Sequence, residues 1–94
     1  MSSLELVTRV VTEVGLEAGY DDLGVVGPAT ELLGGNSTLD SLTVVQIVAE
    51  LERASEERFG KAVVLADERA MSRRSSPFRN VATLAEHLDE RLAE

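Results

Sequence analysis

Six of the chain's seven glycines lie between Gly15 and Gly35, and the seventh is Gly60. A glycine inside a helix costs about 1 kcal/mol relative to alanine. The spacing therefore places helices on either side of that stretch and a long loop within it. Apolar periodicity agrees. Leu4, Val7, Val11 and Val14 recur at helical spacing, with Val10 widening the stripe. Ser2 and Glu5 form a capping box before them, and Gly15 and Gly19 offer stops. A second helix is predicted from Asp40 or Ser41 to about Arg58. Asp40 is its N-cap, and Val44, Ile47, Val48 and Leu51 form its core stripe, extended by Ser55 and Phe59 before Gly60. A third long helix follows Asn80, with the stripe Val81, Leu84, Ala85, Leu88 and Leu92.

Between these helices the pattern is looser. Residues 20–40 carry Asp21, Asp22, Gly24, Gly27-Pro28, Gly34-Gly35 and Asn36, which reads as loop with a helical turn near Ala29–Leu33. Its apolar residues, Leu23, Val25, Val26, Leu32, Leu33 and Leu39, need burial, so it is an ordered loop, and long ordered loops are usually functional. Ala62–Ala66 reads as extended, Asp67 as the cap of a short helix through Met71, and Phe78 as the buried anchor of a polar loop. The expected fold is all-α: a small four-helix bundle, three helices long and one short, with a long loop between the first and second.

Size and charge narrow the function. Ninety-four residues support one core, so the chain is read as a single domain over 1–94. A net charge of −8 argues against nucleic acid and anionic membranes as partners, and for basic protein surfaces. No apolar run is long enough to span a bilayer, and the N-terminus lacks the plan of a signal peptide, so a cytoplasmic protein is expected. The absence of cysteine removes disulfides and thiolate nucleophiles. No His or Cys cluster has metal-ligand spacing. Asp21-Asp22 lacks the pattern of a calcium loop, and Gly34-Gly35 is not followed by the Lys-Ser or Lys-Thr of a phosphate loop. His87, the one histidine, is expected at a surface or half-buried position, where a Ser–His triad has no support.

The informative segment is Gly34-Gly35-Asn36-Ser37-Thr38-Leu39-Asp40-Ser41-Leu42. A serine in the first turn of a helix, behind an acidic cap, sits beside amides that lack intrahelical partners and at the positive end of the dipole. A phosphate ester is favoured there for both reasons.

With Asp40-Ser41-Leu42 at the head of a long helix behind a glycine-rich loop, the chain resembles the acyl and peptidyl carrier proteins over nearly its whole length. The resemblance implies that Ser41 receives 4′-phosphopantetheine from coenzyme A through a phosphopantetheinyl transferase. The arm's thiol then carries acyl or aminoacyl groups as thioesters. Ser37 competes, because Leu33-Gly34-Gly35-Asn36-Ser37 is similar to the peptidyl-carrier signature. Family members place aliphatic residues one, four, six and ten positions after the modified serine. From Ser41 these are Leu42, Val45, Ile47 and Leu51, whereas from Ser37 only Ile47 matches. Thr38 stands where the family usually has glycine. The second helix and the loop Ser75–Arg79 are longer than in common fatty-acid carriers, as in stand-alone carriers of specialised pathways.

The resemblance also implies a recognition surface of Leu42, Val45, Gln46, Ala49, Glu52 and Arg53. Val45 and Ala49 lie in line with Ser41 at i+4 and i+8. Val45 has two readings, a docking strip beside the arm or a broad core. Gln46 replaces an acid common in fatty-acid carriers. Partners are expected to be activating and transferring enzymes with basic surfaces, meeting a monomer. The basic loop residues Arg69, Arg73, Arg74 and Arg79 read as a solvated loop paired with nearby acids, as a second partner patch, or as neutralising the arm's phosphate. Alternatives are an aminoacyl or peptidyl carrier, and a helical interaction module that is never modified. The chain itself is expected to have no catalytic residue and no metal.

Overall fold

The computed structural model describes residues 2–19, 26–32, 39–68 and 76–94, and for Ser41 the backbone alone. These residues form three helices and no strand: α1 (Ser3–Glu17), α2 (Ser41–Phe59) and α3 (Val81–Leu92). Each starts where local chemistry supplies a cap. Ser2 Oγ accepts the Glu5 N–H while the Glu5 carboxylate accepts the Ser2 N–H, closing the capping box. Asp40 caps α2 and Asn80 caps α3, each accepting the N–H three residues on. Gly60 ends α2 at φ 71, a left-handed conformation that costs glycine nothing, and its N–H closes on the Glu56 carbonyl. Gly15, a possible stop, lies inside α1 and is buried. The chain leaves that helix through Gly19, at φ 93.

Helix α1 packs against both α2 and α3. Its buried face is Leu6, Val7, Val10, Val11 and Val14. The stripe is thus rotated from the one the spacing predicts. Leu6 enters the core, whereas Leu4 remains 38% exposed in a first turn that its neighbours do not close over. On α2 the predicted stripe is buried and Ala54 and Ser55 extend it; the Ser55 hydroxyl is satisfied by the Leu51 carbonyl at 2.7 Å. Phe59 lies beyond the packed stretch and is 36% exposed. Val81, Leu84, Ala85 and Leu88 of α3 are buried as their period requires, and Leu92 packs against the core edge.

Segment 61–65 lies against both α2 and α3. Its exposure alternates, with Ala62 and Val64 out, Val63 packed inward and Leu65 fully buried, as expected of an extended passage. The Leu65 N–H donates to Glu52 of α2 at 2.8 Å, and the Leu65 carbonyl lies 2.8 Å from His87 Nε2 of α3. His87 is therefore only 2% exposed, more buried than the surface or half-buried position expected from its place in the sequence. The reason is tertiary: a buried carbonyl needs a donor, and His87 reaches it. The ring also meets Phe78 edge to face at 6.0 Å, and its Nδ1 has no partner among the described residues. Phe78 is buried, as its anchor role predicts.

The loop before α2 is stitched to the start of α3. Leu32 N–H donates to the Arg79 carbonyl, Val81 N–H to Thr30 and Ala82 N–H to Pro28. Glu31 and Asn80 form an isolated antiparallel bridge. Residues 27–30 make one β-turn, and Glu31 is in the bridge, so the helical turn expected near Ala29–Leu33 does not form over 29–32; Leu33 lies outside the described residues. Leu23 and Val25 also lie outside them, as do Asp21-Asp22 and residues 69–71 of the short helix expected from Asp67 to Met71.

Candidate functional site

The site is the N-terminal end of α2. Leu39 is buried and fixes the entry of the chain, and Asp40 stands exposed in extended backbone (φ −83, ψ 167). One Asp40 oxygen accepts the Thr43 N–H at 2.7 Å, and its carbonyl accepts the Val44 N–H at 3.1 Å. Ser41 is the first helical residue. The amides of Ser41 and Leu42 are the helix-terminal donors that neither bond uses, so they are the ones open to a phosphate ester on this turn.

Thr43 and Val44 point inward, which turns Leu42 and Val45 outward at 66% and 62% exposure. Ala49 is exposed one turn further on. Val45 therefore does not belong to the core. Leu42, Val45 and Ala49 form an exposed apolar strip leading away from Ser41, and Gln46 is exposed beside it.

Glu52 and Arg53, both expected to face a partner, sit differently from each other. Glu52 is half-buried and holds the Leu65 amide. Arg53 is exposed but clamped. Its Nε donates to Glu50 Oε2 at 3.1 Å and its Nη1 to Glu57 Oε2 at 2.6 Å, with a further bond from Nη2 to Glu50 Oε1. The middle of α2 thus neutralises one positive charge with two of its own negatives.

Hydrogen bonding to the Arg53 guanidinium holds the Glu50 carboxyl below the usual glutamate range, against slight desolvation, with Arg9 adding a small attraction. A lowered folded-state value means that the pair's contribution is full above the ordinary glutamate value and fades as pH falls through the lowered one. A carboxyl-detected NMR titration should therefore give Glu50 a midpoint below that of an unstructured glutamate. Arg53→Gln should raise the midpoint, and an unmoved midpoint would show that Arg53 is not its cause.

An open groove of about 590 Å³ runs beside Asp40, between the end of α1 and the start of α2. Glu13, Glu17, Asp40 and Glu50 line it, and no basic residue does among the described residues. These carboxylates give the groove a negative field that disfavours an anion. The same field raises the encounter rate with a basic surface.

Gly34, Gly35, Asn36, Ser37 and Thr38 lie outside the described residues, as do Arg69, Arg73 and Arg74; Arg79 is exposed, and its backbone holds Leu32. Among the described residues no group of three His, Asp or Glu could hold a metal ion. No described helix is long and apolar enough to cross a membrane. Sequence reasoning placed Glu52 among the partner-facing residues and His87 at a surface or half-buried position, and missed that both engage Leu65. No local spacing signals either contact, because the partner, Leu65, lies 13 residues from Glu52 and 22 from His87. Searches of protein-family models, of curated proteins and of solved structures found no match to the chain.

Proposed function

We propose that this protein is an acyl carrier protein, a non-catalytic scaffold modified at Ser41 with 4′-phosphopantetheine. The observation that supports it most is the turn Asp40–Thr43. An N-cap carboxylate seats Ser41 as the first residue of a 19-residue helix, with Leu42 and Val45 exposed immediately beyond it. The remaining helix-terminal amides and the dipole favour a phosphodiester at that position. The arm, when attached, supplies a thiol that carries acyl groups as activated thioesters.

Each part of the surface then has a task. The strip Leu42–Val45–Ala49 gives a partner apolar area to bury beside the arm. Gln46 and Arg53 flank the strip, and the acidic groove steers enzymes with basic faces toward it. Glu52 acts on the surface indirectly, by holding the segment that packs under α2. On this reading residues 67–71 provide the short fourth helix of the bundle, and the protein works as a cytoplasmic monomer between lipid, polyketide or other specialised biosynthetic enzymes.

The test is intact mass after incubation with coenzyme A and a phosphopantetheinyl transferase. A gain of one phosphopantetheinyl group is expected, and Ser41→Ala should abolish it. A gain that survives Ser41→Ala but vanishes in Ser37→Ala would move the site to the competing serine. No gain with several transferases would favour an unmodified interaction module.

A further inference from the structure

A second groove, of about 530 Å³, opens where the first turn of α1 meets α3 and the end of α2. Leu4, Phe59, Ala85 and Leu92 give it apolar walls, and Glu86 and Asp89 stand at its edge. Leu4 and Phe59 are the two residues that helical spacing assigns to the core and that the fold leaves exposed. The Ser3 hydroxyl donates to Asp89 and fixes that carboxylate beside the groove. Glu86 is exposed and takes part in no ion pair among the described residues. Ser41 and Phe59 mark opposite ends of a 19-residue helix, so the groove lies about 27 Å from the modified position. A partner held here leaves the N-terminal end of α2 open.

We propose that this groove docks a cationic amphipathic helix of another protein. Charge selects the occupant. A second copy of this chain would bring another −8 to a lined edge that is already negative, and an anionic lipid surface is repelled in the same way. A helix with leucine-type side chains at i, i+3, i+4 and i+7 and Lys or Arg beside them meets both halves of the lining. Its apolar side chains cover Leu4 and Phe59, and its cations reach Glu86 and Asp89. From Ala82 to Leu92 the groove follows α3 for about 15 Å, close to three helical turns of contact. The site does not depend on modification of Ser41. It offers a way to tether the protein to an assembly while the other end serves enzymes in turn.

The probe is a fluorescein-labelled synthetic helix of leucine and lysine with a single apolar face. Its control has the same composition with the leucines scattered. Fluorescence anisotropy at physiological salt should show saturable binding of the first peptide. Leu4→Asp and Glu86→Lys should each weaken it about tenfold. Leu42→Asp, at the far end, should leave it unchanged; circular dichroism checks that every variant is folded. Absent binding, equal binding of the scattered peptide, or equal loss in Leu42→Asp would overturn the proposal. So would self-association in sedimentation that Leu4→Asp removes, since a second copy would then be the occupant.

Discussion

Ile47→Ala is expected to lower the free energy of unfolding by about 3 kcal/mol, and Val45→Ala, two residues away, by less than about 0.5 kcal/mol. Both lose methyl groups from the middle of the same helix turn. Ile47 is fully buried and packed within the main hydrophobic cluster, so truncation removes transfer energy and leaves a cavity. Val45 is mostly solvated, so little is lost. Domains of this size are stable by about 5–15 kcal/mol, and a loss of 3 kcal/mol lowers Tm by roughly 12–24 °C. Urea titration should show a lower midpoint for Ile47→Ala at unchanged slope, and overlapping curves for Val45→Ala and the native chain. Equal losses would place Val45 in the core and remove the apolar strip beside Ser41.

The second large effect is expected at Leu65. Glu52→Ala leaves a buried N–H without its acceptor and should cost about 1–3 kcal/mol. Glu52→Gln keeps an oxygen at the same reach and should recover most of that loss. His87→Phe removes the group that meets the Leu65 carbonyl and should cost a similar amount. The two act on one residue, so the double variant should lose less than the sum of the single losses once the segment is already released. Hydrogen exchange at the Leu65 amide reads this directly: it should be protected in the native chain and fast in Glu52→Ala. A fast native Leu65 amide, or Glu52→Gln as damaging as Glu52→Ala, would show that the carboxylate does not hold the segment.

What could be read from the sequence was local. The capping box at Ser2 and Glu5, the cap Asp40 and the stop at Gly60 depend on neighbours within four residues, and all stand in the structure. The inner face of α2 was legible because Val44, Ile47, Val48 and Leu51 recur at helical spacing. Burial decided by distant chain was not legible. Leu4 and Leu6 lie on different faces of α1, and packing against α2 and α3 selects the face that holds Leu6. His87 is drawn inward by a carbonyl 22 residues away, and Glu52 by an amide 13 residues away. The loop's pairing with the start of α3 likewise joins Leu32 to Arg79, which periodicity cannot signal. At the candidate site, the capped start of α2 and the outward turn of Leu42 followed from the pattern, whereas the inward engagement of Glu52 did not.

The middle position of α1 has a consequence for how the chain is born. This helix leaves the ribosome first, yet its two packing partners are separated in order of synthesis. Translation at about 5–20 residues per second delivers Val81 roughly 3–13 s after Leu16. Until then Leu6, Val7, Val10, Val11 and Val14 lack the cover of α3, and Leu32 has no Arg79 carbonyl to bind. Completion of the fold therefore waits for the last helix. A nascent chain stalled before Phe78 should remain open to proteases and chaperones, however well formed the capped start of its second helix already is.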